Sequence, residues 1–92
     1  MTVTAYSSTP EQTDDSPFIT ASNTRVRDGV VATNVLPFGT RIRIPEYFGS
    51  KEFTVEDRMH RRHANRVDIW FPTTKAALRF GITDTDIEVL SP

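Results

Sequence analysis

The sequence predicts a mainly β protein, a small barrel of six or seven short strands with one short helix. The first observation is a series of short segments in which apolar and polar residues alternate, separated by turn residues. The second is a single helical pattern late in the chain, preceded by threonine and followed by glycine. A closed barrel is favoured over an open sheet because it leaves few strand edges to protect.

The predicted elements follow from these patterns in chain order. The strands are expected at residues 2–7, 24–27, 30–32, 41–44, 53–56, 67–71 and 84–90. Asp28-Gly29 predicts a hairpin between the second and third of them, and Asn23 stands where a turn can require a positive φ. Residues 7–17 form a polar loop, and residues 47–49 an aromatic loop capping the core. Thr73 or Thr74 caps the helix over residues 75–80, and Gly81 ends it.

A weak internal echo accompanies this pattern. Leu36-Pro37-Phe38-Gly39 leads into an alternating strand, and so does Leu78-Arg79-Phe80-Gly81. Such an echo suits a barrel built from two related halves, although four letters can also match by chance.

Length and composition limit the possible classes of protein. The chain has 92 residues, 37% hydrophobic and 25% charged, which fits one domain with one modest core, residues 1–92. The formal net charge of -1 gives no global attraction to nucleic acid or anionic lipid. Cysteine is absent, which excludes disulfides and thiolate metal sites, and no apolar run approaches the roughly 20 residues of a membrane helix. The four glycines are isolated, so no phosphate loop or nucleophile elbow is present.

The candidate site lies in residues 55–71. Two carboxylates, Asp57 and Asp68, bracket a loop at residues 57–68 that is crowded with arginine and histidine, and each adjoins a predicted strand. Alternation along the second strand places Asp68 and Trp70 on one face, opposite Val67 and Ile69. A carboxylate and an indole are therefore expected to be neighbours.

These residues carry a resemblance to a known family. The segments that carry this resemblance are Thr4-Ala5-Tyr6, Thr20-Ala21-Ser22, Val31-Ala32, Leu36-Pro37-Phe38-Gly39-Thr40, Asp57, Arg66-Val67-Asp68-Ile69-Trp70-Phe71, Ala77 and Phe80-Gly81. Together they resemble the three-aspartate ("3D") domain of barrel-fold lytic transglycosylases and of related cell-wall proteins of the stationary-phase survival type. The most specific part is the eleven-residue spacing of Asp57 and Asp68 together with the turn at Leu36. The resemblance covers nearly the whole chain and implies a six-stranded double-psi β-barrel.

The chain also departs from the family pattern at the site. The first of the three aspartates corresponds to Asn34, which keeps hydrogen-bonding capacity but not charge. The Thr-Gly-Gly that normally follows the second aspartate is replaced by Arg58-Met59-His60, and Asn23 stands where a glycine is common. The result is a bulkier and more cationic loop. These differences bear on activity more than on fold.

The resemblance implies cleavage of peptidoglycan with Asp68 and Asp57 as catalytic residues. Cleavage without water as nucleophile needs one group that protonates the leaving oxygen and later takes a proton from the sugar's own 6-hydroxyl. Asp68 fits, since burial beside Trp70 and a facing carboxylate raise its pKa, whereas Arg58 or Arg66 would lower it. Asp57 would stay ionised and stabilise positive charge at the anomeric carbon.

Further residues are assigned to substrate binding or to less specific roles. The substrate-binding candidates are Tyr6, Thr4, Asn34, Trp70 and Arg58. Tyr6 fits a core residue as well as a cleft residue, and Trp70 fits packing as well as a sugar platform.

The charged residues of the site admit other interpretations. The two aspartates could instead form structural ion pairs with Arg58 and Arg66. His60 and His63 are three apart, but the arginines around them repel cations, so neither a metal nor any other cofactor is expected. The loop arginines could contact nucleic acid, but compensating acids favour a solvated rim, and no nucleic-acid partner is expected.

Two functions of different class remain. One is a lytic transglycosylase acting on peptidoglycan, and the other is a non-catalytic module that binds cell-wall polysaccharide, as expansin-like barrels do. The expected state is a monomer without a membrane span. Cell-wall chemistry implies the envelope or the exterior if a leader was removed, and a cytoplasmic or phage-borne role if Met1 is native.

Overall fold

The computed structural model describes residues 1–8 and 19–90. Seven strands and two short helices occur in this part of the chain. In chain order the elements are β1 Thr2–Ser7, β2 Val30–Ala32, β3 Arg41–Arg43, α1 Pro45–Phe48, β4 Glu52–Asp57, β5 Arg66–Phe71, α2 Thr74–Phe80, β6 Thr83–Asp84 and β7 Glu88–Val89. The protein is therefore mainly β, as predicted.

All seven strands belong to one sheet that curls into a half-barrel, in the order β6-β1-β5-β2-β4-β3-β7. The small-barrel prediction is confirmed at this level, with seven strands rather than six. Helix α2 is the short helix expected from the sequence. The Thr73 side chain accepts a hydrogen bond from the Ala76 amide at 3.0 Å, and the Gly81 amide donates to the Ala77 carbonyl at 3.1 Å.

The sheet consists of two related halves. At its centre β2 and β5 pair antiparallel, and each has a parallel partner on its outer side, β4 and β1 respectively. Beyond these partners lie β3 and β6, both antiparallel. Two parallel pairs joined through an antiparallel pair are compatible with the double-psi arrangement that the resemblance implies.

The internal echo falls at equivalent positions of the two halves. Leu36-Pro37-Phe38-Gly39 precedes β3, and Leu78-Arg79-Phe80-Gly81 precedes β6. Gly39 and Gly81 have φ values of 87° and 70°, a conformation that side chains with a Cβ adopt at an energetic cost.

The core lies on one face of the curled sheet. Its buried cluster consists of Val3, Val31, Ile42, Ile44, Phe53, Val55, Val67 and Ile69. The partly buried rings of Phe48, Phe71 and Phe80 pack against this cluster, with Phe48 and Phe80 stacked at 5.8 Å between ring centroids. The predicted aromatic loop at residues 47–49 thus caps the core, but its first two residues belong to the helical turn α1. Within the described ranges no helix has the length and apolar character needed to cross a membrane.

Two predicted strand arrangements are wrong. The turn at Asp28-Gly29 forms, with the Val30 amide donating to the Arg27 carbonyl at 3.1 Å. However, β2 uses both its edges to pair with β4 and β5, so residues 24–27 cannot join it in a hairpin. The strand predicted at residues 84–90 is divided, because Asp84 in β6 pairs with β1 whereas Glu88 in β7 pairs with β3 on the opposite side of the sheet.

The predicted polar loop at residues 7–17 begins later than expected. Ser7 is the last residue of β1, and both Ser7 and Ser8 are buried. The rest of this predicted loop, together with Phe18, lies outside the described residues. Asn23 has a φ of 66°, which confirms the positive value expected from the sequence.

Candidate active site

The two aspartates lie on strands that flank the end of β2. Ala32 pairs with Asp57 of β4 on one side and with Asp68 of β5 on the other. Two strand spacings separate the backbones of the aspartates, roughly 9–10 Å. Paired residues of adjacent strands point to the same face of a sheet, so Asp57, Ala32 and Asp68 form a row. Ala32, which is 3% exposed, occupies the middle position of this row.

A β-bulge turns Asp57 toward this face. Val31 pairs with Val55, but the next residue, Ala32, pairs with Asp57, which leaves Glu56 as the extra residue. Strict alternation would place Asp57 on the same face as the buried Val55. The extra residue reverses that placement and brings Asp57 to the face that carries Asp68.

Three donors hold the Asp57 carboxylate. The amides of Ala21 and Arg58 donate to its Oδ1 at 2.8 and 2.9 Å, and the Tyr6 hydroxyl donates to its Oδ2 at 3.2 Å. These donors come from three separated parts of the chain. They fix the orientation of the carboxylate and favour its role as an acceptor.

Asp68 is held by a single donor and is poised to carry a proton. The Thr4 hydroxyl donates to its Oδ1 at 2.9 Å. Burial raises the pKa of Asp68 to about 6, and the charge of Asp57 adds to the rise, against the opposing effects of the Thr4 hydrogen bond and Arg66. This is the direction expected from the sequence. Asp68 is therefore substantially protonated in mildly acidic solution.

Tyr6 donates its hydroxyl to Asp57 and feels the charges of both aspartates. It lies on β1, where Thr4 pairs with Asp68 and Tyr6 pairs with Trp70. Burial, followed by the charges of Asp57 and Asp68, raises the pKa of the Tyr6 phenol well above its ordinary value. The phenol therefore remains a neutral donor to Asp57 throughout the range in which Asp68 titrates. The sequence left Tyr6 as either a core residue or a cleft residue. In the structure its hydroxyl lies against Asp57.

Trp70 lies beside the carboxyl groups but its polar atom is already bonded. The indole Nε1 donates to the Ser8 hydroxyl at 2.7 Å, and the side chain is half-buried. The predicted alternation along β5 is confirmed, since Val67 and Ile69 are buried in the core on the opposite face. Trp70 can offer the exposed part of its ring to a ligand, whereas Ser8 fixes the ring's orientation.

The Arg58 guanidinium is positioned by the Phe38 ring and by the backbone carbonyls of Thr33 and Asp57 rather than by the aspartate carboxylates. Its guanidinium lies over the Phe38 ring at 3.8 Å, and Nη1 donates to the Thr33 carbonyl at 2.8 Å. In the part of the chain that is described, no salt bridge joins Asp57 or Asp68 to Arg58 or Arg66. The structural ion-pair alternative is therefore wrong as an account of how the aspartates are held.

Asn34 organises the loop between the aspartates rather than lying in their row. Its Oδ1 accepts from the Met59 amide at 3.0 Å, and its Nδ2 donates to the His60 carbonyl at 3.0 Å and the His63 carbonyl at 3.5 Å. An amide side chain can donate and accept at once, which a carboxylate cannot. Asparagine at this position therefore suits a support of the loop backbone.

Asn34→Ala is expected to loosen the loop at residues 58–63. Alanine removes all three contacts, and a loss of about 1–2 kcal/mol in the free energy of unfolding follows. Amide hydrogen exchange should accelerate at Met59 by at least about tenfold, whereas exchange in β1 should follow only the global change. Asn65→Ala, at an exposed turn position without a positive φ, is the comparison. Unchanged protection at Met59 in Asn34→Ala would contradict the assigned role.

A buried ionic group next to Asp57 was not predicted from the sequence. Glu56, 7% exposed, accepts from the Thr24 hydroxyl at 2.6 Å and forms an ion pair with Arg27. The hydrogen bond from Arg27 lowers the pKa of Glu56. This network ties residues 20–27 to β4 and so places the Ala21 amide against Asp57. The bulge is the reason that alternation, which assigns Glu56 to the solvent, does not apply.

Comparison with protein-family models and with curated proteins gave no match. Among residues 1–8 and 19–90, no group of three or more histidine, cysteine or carboxylate side chains is arranged to hold a metal ion. The features that bear on function are the aspartate pair and the groups that surround it.

Proposed function

We propose that this protein cleaves cell-wall glycan, in the manner of a lytic transglycosylase, with Asp68 as the acid and base. The observation that supports this most directly is the pairing of Asp68, whose pKa is about 6, with Asp57 across Ala32 on one face of the sheet. One carboxyl group can hold a proton while the other is kept as an acceptor by three donors. These are the two states that the reaction requires.

The proposed reaction begins with protonated Asp68. Its proton passes to the glycosidic oxygen as the bond from that oxygen to the anomeric carbon breaks, and positive charge develops on the sugar. Asp57, oriented by Tyr6, stabilises this charge. Asp68, now ionised, accepts the proton of the sugar's 6-hydroxyl, and that oxygen bonds to the anomeric carbon to close an anhydro ring. Thr4 holds the Asp68 carboxyl in position through both steps.

Incubation of the protein with purified peptidoglycan is expected to release fragments with anhydro-sugar ends, identified by mass spectrometry. Asp68→Asn should reduce the release at least about 100-fold, since the amide cannot donate or accept the proton. Release by the intact protein should decline as the pH rises through about 6, because Asp68 loses its proton.

The matched control is Asp28→Asn, which removes an exposed carboxylate whose partner is Lys51. It should release fragments at the rate of the intact protein. Absence of anhydro ends, or equal release by Asp68→Asn, would overturn the proposal.

A non-catalytic polysaccharide-binding module is the second proposal. It is favoured by the placement of Trp70 and Tyr6 on neighbouring strands of the same face, where aromatic rings can contact sugars. In this case Asp68→Asn should sediment with insoluble cell wall as the intact protein does, whereas Trp70→Ala should sediment less. Binding that depends on Trp70, without release of anhydro ends, would support this function over cleavage.

A further inference from the structure

The segment at residues 58–66, here termed the basic loop, is the most strongly charged part of the chain. It contains four of the protein's 11 lysine and arginine residues and none of its 12 acidic residues. The positive side chains are Arg58, Arg61, Arg62 and Arg66, interspersed with His60 and His63. The loop connects β4 to β5, so it begins directly after Asp57 and ends two residues before Asp68.

In the described part of the chain, the arginines of the basic loop have no carboxylate partner, unlike three other cations of this protein. Arg27, Arg43 and Lys51 each form an ion pair with an acidic side chain. Within the described ranges, no salt bridge joins an arginine of the basic loop to a carboxylate. Arg61 and Arg62 are exposed to solvent. Their charges are consequently available to an anion from outside the chain.

The positive charges of the basic loop affect the pKa of His63. Desolvation lowers the pKa of His63, and the positive charges of Arg66, Arg62 and His60 lower it further. A bound anion would relieve this repulsion.

Hydrogen bonds within the protein order the backbone of the basic loop. Besides the three contacts of Asn34, the His63 amide donates to the His60 carbonyl at 2.9 Å, and the Arg62 amide donates to His60 Nδ1 at 3.3 Å. Because the backbone is already ordered, binding through its side chains loses less conformational entropy than binding by a flexible segment.

We infer that the basic loop binds carboxylate groups carried by an acidic glycan whose neutral sugar backbone lies across Asp57 and Asp68. Arginine forms paired hydrogen bonds with carboxylates, and the exposed Arg61 and Arg62 lie in the connection that joins the strand of Asp57 to the strand of Asp68. The inference rests on the proposed function and adds the class of substrate.

The aspartates favour a glycan over a nucleic acid as the ligand. A phosphodiester strand carries a charge at every unit, so its extension from the basic loop past Asp57 and Asp68 would place phosphates against two carboxyl groups. A glycan with carboxylates on its side branches can place neutral sugars there. The two kinds of polymer therefore differ in their electrostatic fit to this surface.

The test measures binding to soluble peptidoglycan strands in two forms, one with free carboxylates and one with the carboxylates converted to amides. Asp68→Asn serves as the background for every protein, so that strands are not cleaved during the measurement. Affinity for the carboxylate form should exceed that for the amide form about tenfold and should decline with added salt. Arg61→Gln combined with Arg62→Gln should weaken binding of the carboxylate form about five- to tenfold and leave the amide form nearly unchanged.

The control is Lys75→Gln combined with Arg79→Gln, which removes two exposed positive charges from α2. It should alter affinity less than twofold. Equal binding of the two glycan forms, no effect of the Arg61 and Arg62 changes, or tighter binding of a short single-stranded DNA would overturn the inference. If the intact protein releases no anhydro ends but carboxylate-dependent binding persists, the cleavage proposal alone is overturned.

Discussion

Asp68→Asn is expected to increase the free energy of unfolding by roughly 2–3 kcal/mol near pH 7.5 and to leave it nearly unchanged near pH 4. The pKa of Asp68 is about 6 in the folded protein, against an ordinary value of 3.8. The native state therefore binds more protons than the unfolded state between these values, and stability declines as the pH rises through them. Each unit of difference between the folded and unfolded pKa values corresponds to about 1.4 kcal/mol in the free energy of unfolding. The asparagine amide removes the ionisation and still accepts the Thr4 hydroxyl.

Urea unfolding of both proteins at several pH values between 4 and 8 would measure this difference. The two stability curves should coincide at low pH and separate as Asp68 ionises. Asp28→Asn, an exposed and paired carboxylate, should show no such separation. A difference that is constant with pH, or a loss of stability at pH 7.5, would contradict the burial that we assign to Asp68.

Phe53→Ala is expected to reduce the free energy of unfolding by about 3–5 kcal/mol. The Phe53 side chain is 1% exposed and lies in the core cluster. Its ring contacts Phe48 edge to face at 5.2 Å, and Lys51 Nζ lies 5.3 Å from its centroid. Alanine leaves a cavity between β4 and α1. For a domain whose total stability is about 5–15 kcal/mol, the loss is a large fraction.

Leu78→Ala provides the comparison for this change. Leu78 lies on α2 with 75% of its surface exposed, and alanine is a good helix former, so we expect a change within about 0.5 kcal/mol. Both variants should be followed by urea unfolding, with a slope close to that of the intact protein. Similar losses for Phe53→Ala and Leu78→Ala would show that the assigned core is wrong.

Local patterns predicted most of the elements of this fold. Alternation located β1, β3, β4 and β5 to within a residue or two, since each has one face against the core. The Thr73 cap and Gly81 fixed α2, because these positions satisfy backbone groups locally. The hairpin at Asp28-Gly29 was wrong because the turn chemistry is local, whereas the pairing of β2 is decided by strands far along the chain.

The candidate site was only partly predictable. The sequence identified Asp57, Asp68, Tyr6 and Thr4, and the structure brings these four side chains together. Alternation alone could not orient Asp57, since its direction depends on the bulge at Glu56. The Ala21 amide and the buried Glu56 network were missed, because their contacts join residues 29 to 36 positions apart.

The pairing of β1 with β5 has a consequence for how the protein is made. Thr4 and Asp68 are separated by 64 positions, and β1 lies between β5 and β6 in the sheet. During synthesis β1 leaves the ribosome before β5 and β6, and it lacks these partner strands until both have followed. Contacts between residues so far apart in the sequence form slowly. A strand without its partners exposes unpaired backbone groups and is prone to aggregation. The aspartate site therefore assembles among the last events of folding, and incomplete chains lack it.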